Sequence, residues 1–179
     1  MRLAVALFFV LLLSACSASE PRMIADEVKS AMEAAKMPVE RILHMEPLRD
    51  GLHIFYRDEA GRLNAGFVRL SRDDWQWVIG EGSVEWEAET DKGLSWFAGN
   101  NREIPVNYTY GSLYDPRIAT VRIRMQDSAI DQMAKIVSAP EGGRLWFAYH
   151  ETPVNTPIEI YGLAPDGTTI YPKTPYDRR

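Results

Sequence analysis

The chain has 179 residues, with 25 acids against 20 bases and a formal charge of −5. That mild acidity disfavours nucleic acid as a partner and gives no overall electrostatic pull toward an anionic bilayer. Five Trp, eight Tyr and six Phe supply enough apolar area for a folded core, and no low-complexity tract is present.

The chain opens with Arg2 as a short positive region, an apolar run from Leu3 to Leu13, and small residues Ser14 and Ala15 ahead of Cys16. Residues 1–15 thus read as a lipoprotein signal peptide, with Cys16 as the lipid-accepting residue. The run is too short to span a hydrocarbon core, which takes roughly 20 helical residues. An ordinary secretory peptide with an incidental cysteine is the competing reading. Against it, Cys16 is the only cysteine in the chain. A thioether there leaves no free thiol, which excludes thiol catalysis and cysteine-ligated zinc. A diacylglycerol, carrying palmitate-type chains, supplies the two acyl anchors that stable membrane attachment needs. Processing leaves 164 residues and removes only Arg2 among charges, for a formal charge of −6. One domain is the default at that length.

Residues 16–19 form the lipidated cysteine and a short tether, and 20–37 an amphipathic helix packed on the domain. Ser19 is its expected N-cap and Pro21 lies in its first turn; Ile24, Val28, Ala31, Met32 and Ala35 make one apolar stripe. Residues 38–179 form the β-rich extracytoplasmic domain. Expected strands are Glu40–Met45, Leu52–Arg57, Leu63–Leu70, Gln76–Gly80, Val84–Glu89, Leu94–Ala98 and Val106–Tyr110. They continue with Ile118–Met125, Ala134–Ser138, Arg144–His150, Ile158–Leu163 and Thr168–Tyr171. Over Asp127–Ile136 the strand signal is weakest, because Ile130, Met133, Ala134 and Val137 also fit one face of a short helix. Glu59-Ala60-Gly61-Arg62 and Pro165-Asp166-Gly167 predict hairpin turns, and Gly80-x-Gly82 reads as a further turn. The pattern predicts a mainly β (α+β) fold, an antiparallel β-sandwich or barrel-like domain with one N-terminal amphipathic helix.

Chemistry is sparse. His44 and His53 fall on neighbouring strands and His150 ends a later one, without zinc-ligand spacing, so no metal and no cofactor are implied. No nucleophile elbow or phosphate loop is present, so no catalytic residue is assigned. An enzyme would have to use Glu85 or Glu87 with His150. Glu85, Glu87 and Glu89 alternate as the solvated face of a strand. Trp75 and Trp77 share a strand face, and Trp86 and Trp96 are placed to pair across a turn. Tyr108, Tyr110 and Tyr114 flank Gly111 in a loop-like stretch ending at Pro116, and are the expected ligand-binding edge.

Tyr108-Thr109-Tyr110-Gly111, Asp115-Pro116-Arg117-Ile118 and Val121-x-Ile123 resemble segments of small uncharacterised lipoproteins of Bacillus-type (Gram-positive) bacteria. Arg144-Leu145-Trp146-Phe147, Asp166-Gly167 and Ile170-Tyr171 extend the likeness. The resemblance implies a Gram-positive cell envelope and carries over no catalytic residue. Together these readings give a non-catalytic binding or interaction module, lipid-anchored through Cys16 on the extracytoplasmic face of the cell membrane. Its partner would be an envelope protein or a small ligand. The alternative is a small-ligand or glycan-binding lipoprotein serving transport or sensing.

Overall fold

A computed structural model describes residues 23–72, 74–89, 92–125, 130–140 and 142–172. The signal, Cys16, Ser19 and Pro21 lie outside the described residues.

The helix α1 spans Ile24–Ala34, with Met23, which has no side-chain acceptor, at its N-cap. Its stripe buries Val28 and Met32 completely. Lys36, at φ 57, turns the chain directly into the first strand. Twelve strands follow among the described residues, making three four-stranded antiparallel sheets. Sheet A runs β1 (Val39–Leu48), β2 (Gly51–Asp58), β3 (Arg62–Ser71) and β4 (Asp74–Glu85) in spatial as well as chain order. Sheet B takes β5 (Phe97–Gly99), β6 (Asn107–Leu113), β10 (Arg144–His150) and β9 (Lys135–Ser138) in spatial order. Sheet C takes β12 (Thr169–Pro172), β11 (Ile158–Leu163), β7 (Thr120–Met125) and β8 (Asp131–Met133). The result is sandwich-like, with no closed barrel among the described residues.

Strand periodicity decides how the layers stack, because alternate side chains leave a strand on opposite faces. On β2, Ile54 and Tyr56 join Val28, Met32, Val68, Trp75 and Trp77 under α1. Phe55, between them, points the other way and meets Tyr108, Tyr110, Leu145 and Phe147 of sheet B. On β10 the neighbours Trp146 and Ala148 turn to the far face of sheet B, against Val121, Ile123, Ile158 and Ile160 of sheet C. The order is helix, sheet A, sheet B, sheet C, and sheets A and B are covered on both faces. Trp146, with no exposed surface, is the largest fully buried side chain between B and C.

Both predicted hairpins form: Gly61 (φ 75) turns β2 into β3 and Gly167 (φ 85) turns β11 into β12. Elsewhere the structure corrects the sequence reading. Gly80-x-Gly82 does not end a strand; β4 continues to Glu85, and one extra residue is accommodated between the Ala65–Glu81 and Leu63–Val84 pairs, where Gly82 takes φ 72. That is a bulge, which needs a positive φ but does not break the ladder. A second bulge at Val78 explains why Trp77 packs under α1 while Ile79, of the same parity, packs toward sheet B. Glu87 and Glu89 therefore lie beyond the strand, and Glu85, Glu87 and Glu89 share no strand face. Trp86 and Trp96 do not pair: the first belongs to the A–B core, the second packs against the B–C core. The expected strand Ala134–Ser138 forms as β9, and the described part of Asp127–Ile136 carries β8 ahead of it, not the short helix that also fits.

Candidate functional site

The three tyrosines tie sheet B to β4. Tyr108 and Tyr110 stand on β6, where the expected strand Val106–Tyr110 forms and runs on to Leu113 through the stretch expected to be loop-like, and both have no exposed surface. Their hydroxyls donate to β4: Tyr108 Oη to Glu81 Oε2 at 3.0 Å, Tyr110 Oη to the Glu81 carbonyl at 3.2 Å. Burial drives both phenol pKa values far above the usual range, so these hydroxyls stay neutral donors. Only Tyr114, just past β6, is half-exposed; its Oη donates to the Glu85 carbonyl at 2.7 Å. The binding edge expected at Tyr108, Tyr110 and Tyr114 is thereby reduced to Tyr114.

Tyr114 opens into a cleft of about 380 Å³ gathered from four distant segments: Arg57 of β2, Trp86 and Glu87 after β4, Leu113 and Tyr114, and Gly142 and Gly143 of the β9–β10 turn. Its volume falls in the range of small-ligand sites. Gly143 (φ 78) has to be glycine on two counts, its backbone conformation and the Trp86 indole, which lies 2.7 Å from where a Cβ would stand. Trp86 itself is 5% exposed and forms the aromatic floor. On the wall, Glu40 grips Arg57 through two hydrogen bonds, to Nε at 2.9 Å and Nη2 at 2.8 Å. The Arg57 guanidinium in turn holds the Glu40 carboxyl below the usual range. An aromatic floor with hydroxyl, guanidinium and carboxylate walls suits a polar ligand that presents both a flat apolar face and hydrogen-bonding groups.

Comparison with family models, with curated proteins and with solved structures finds no match. The site must be read from its own geometry.

A second cleft, of about 430 Å³, lies between Trp96, Phe97 and Ala98 and the segment from Val154 to Ile158. Asn100 closes one end by acting as a surrogate backbone. Its Nδ2 donates to the Val154 carbonyl at 2.8 Å, and its Oδ1 accepts from the Val154 N–H at 2.7 Å. Asn100→Ala removes both bonds and is expected to cost about 2 kcal/mol, measured by urea unfolding. Asn100→Asp keeps one acceptor and should cost less.

The three histidines lie in separate surroundings. His53 is fully buried between Phe55, Tyr108 and Tyr149, with ring centroids 4.5 to 5.7 Å away. Its Nδ1 lies 3.0 Å from Tyr149 Oη, while Nε2 has no hydrogen-bond partner among the described residues. His44 lies one strand away, its ring 5.4 Å from Phe147 and its Nε2 2.8 Å from Glu46. His150 accepts from Gln132 Nε2 at Nδ1, which assigns its proton to Nε2 and a donated bond to Thr109 Oγ1, both at 3.1 Å. His150 ends β10, whereas Glu87 neighbours the turn before β10 starts, so the strand puts about 20 Å between them at about 3.3 Å per residue. Among the described residues, no group of three or more His, Cys, Asp or Glu could hold a metal, and no helix is long and apolar enough to cross a membrane.

Asp115-Pro116-Arg117-Ile118 proves to be a structural corner. Arg144 donates through Nη1 to the Ile118 carbonyl and through Nη2 to the Asp115 carbonyl, each at 2.7 Å. Arg117 and its backbone N–H hold the Asp115 carboxyl down at about 2.

Proposed function

We propose that the protein is a lipid-anchored, extracytoplasmic binding module of the cell envelope, attached through a diacylglycerol on Cys16. The carrying observation is Leu13-Ser14-Ala15-Cys16, an apolar run ending in small residues at the only cysteine of the chain. The fold supports it. Sheets A and B are covered on both faces, and the described surface carries clefts of about 380 and 430 Å³, large enough for a small ligand. Binding is assigned to the cleft of Arg57, Trp86, Glu87 and Tyr114, where the one tyrosine of the expected three that is not fully buried is found.

The test is fractionation of cells expressing wild-type, Cys16→Ala and Tyr114→Ala chains, followed by capture of envelope components on the detergent-extracted protein. Wild type and Tyr114→Ala should stay with the membrane, while Cys16→Ala leaves it. Tyr114→Ala should lose about tenfold or more in capture of a bound component, and little in stability, since it loses one half-exposed hydrogen bond. Equal capture by wild type and Tyr114→Ala would remove the cleft from the reading.

A further inference from the structure

Four large apolar side chains stand exposed among the described residues, and three of them lie in one layer: Met23 at 71%, Ile24 at 54% and Leu70 at 51%. Ile24 stands four residues before Val28 and eight before Met32, so it prolongs the stripe that α1 buries against sheet A. Leu70 stands two residues after Val68 on the helix-covered face of β3 and pairs with Trp75, which is packed under α1. The helix direction brings these together. Met37, just beyond the C-terminus of α1, reaches 3.5 Å from where a Gly80 Cβ would stand, and the β4 residues under α1 are Trp75 and Trp77. The N-terminal end of α1 therefore points to the β3–β4 hairpin, beside Leu70.

We propose that this open margin, Met23, Ile24 and Leu70, rests in the interfacial region of the lipid bilayer and sets the orientation of the anchored domain. The inference rests on the lipidation of Cys16 proposed above. Seven Cα steps separate Cys16 from Met23, a reach of about 25 Å when fully extended. A lipid on Cys16 thus holds the N-terminal end of α1 within about 25 Å of the membrane. At such proximity a few apolar side chains are enough to favour one orientation, because the translational cost of association has been met by the acyl chains. The charge around the margin is mixed: Arg49, Arg69 and Arg72 stand exposed beside Asp26, Glu27, Asp50 and Asp74. The contact is therefore apolar, insensitive to salt and to anionic lipid.

The lipidated full chain, reconstituted in phosphatidylcholine vesicles, gives the test. The lipid occupies the only native cysteine, so Leu70→Cys introduces a unique thiol for an environment-sensitive fluorophore, and Met133→Cys, exposed on β8 in the outermost sheet, serves as the reference. Spin-labelled lipid should quench the label at position 70 at least severalfold more than the label at position 133, equally at low and high salt. Equal aqueous exposure of both labels, on protein that floats with the vesicles and carries diacylglycerol by mass, would overturn the orientation while leaving the anchor intact. Protection of position 70 that rises with protein density and not with quencher lipid would put a second copy on this margin, and would also overturn it. An unmodified, thiol-reactive Cys16 would remove the anchor and the inference with it.

Discussion

Gly111→Ala is expected to lower the unfolding free energy by about 3–5 kcal/mol, the cost of forcing extra atoms between backbones that cannot part. A Cβ at position 111 would strike the Ser95 carbonyl and come 2.9 Å from Trp146 Nε1. Those atoms are already engaged: Trp146 Nε1 donates to the Ser95 carbonyl at 3.2 Å and the Ser95 N–H to the Ser112 carbonyl at 3.0 Å. Relief would require the segment before β5 to leave β6, breaking both bonds and opening the core between sheets B and C. At about 2–4 °C per kcal/mol for a chain of this size, the melting temperature should fall by roughly 10–15 °C. Gly167→Ala is the control, since a Cβ there meets nothing within 4 Å and suffers only from its φ of 85; about 1 kcal/mol is expected. Similar losses in the two variants would mean that the close approach at Gly111 is not what the sheet depends on.

Stability should fall by about 3 kcal/mol between pH 7 and pH 5, because two histidines are buried in their neutral form. Burial lowers His53 to about 3 and His150 to about 4, against an unfolded value near 6.5. The unfolded chain thus binds protons that the native chain refuses, so stability is full above about pH 6.5 and is lost as pH falls below it. His53 contributes about 2 kcal/mol of that loss. For His150 about 1 kcal/mol is expected, since it borders the shallow cleft of Pro105, Tyr149 and Glu151 and solvent screens its charge. The depressed Asp115 acts in the same direction but in another window: its contribution is present above about pH 4 and disappears toward pH 2. Urea unfolding of wild type and His53→Leu at pH 7 and pH 5 checks the assignment. His53→Leu should be less stable at pH 7, having left Tyr149 Oη without its partner, yet should lose only about a third as much on acidification. An unchanged slope would mean that His53 is protonated in the native protein.

Much of the fold is legible because local chemistry and global packing agree. Gly61 and Gly167 stand in turns that demand a positive φ, and the strands around them follow. The stripe of Val28 and Met32 likewise finds the sheet that it predicts. Where the reading departs from the structure, one local signal carried two meanings. Gly80-Glu81-Gly82 is glycine-rich for a bulge as much as for a turn, and only the partner strand β3 shows which. Tyr108 and Tyr110 fall on the expected strand, but the loop-like look of Gly111-Ser112 suggests an exposed edge, whereas the strand runs on to Leu113 and the two hydroxyls find acceptors on β4, distant in sequence. Ile118 breaks the alternation of Val121 and Ile123 because it belongs to the corner held by Arg144, one residue short of the strand partner Ala119 that bonds to Leu163. A clue to the three-sheet stack is present in unbroken apolar runs such as Leu145-Trp146-Phe147-Ala148, which mark strands buried on both faces. The cleft is another matter. Arg57, Trp86, Tyr114 and Gly143 have no shared motif, and nothing short of the folded chain brings them together.

The most direct measurement is the intact mass of the protein extracted from the membranes of expressing cells, with the N-terminal peptide sequenced by fragmentation. The account predicts a chain beginning at Cys16, heavier than its polypeptide by one diacylglyceryl group carrying palmitate-type chains, and absent from the culture medium. A chain that retains residues 1–15, or that is recovered from the medium with Cys16 as a free thiol, would contradict it.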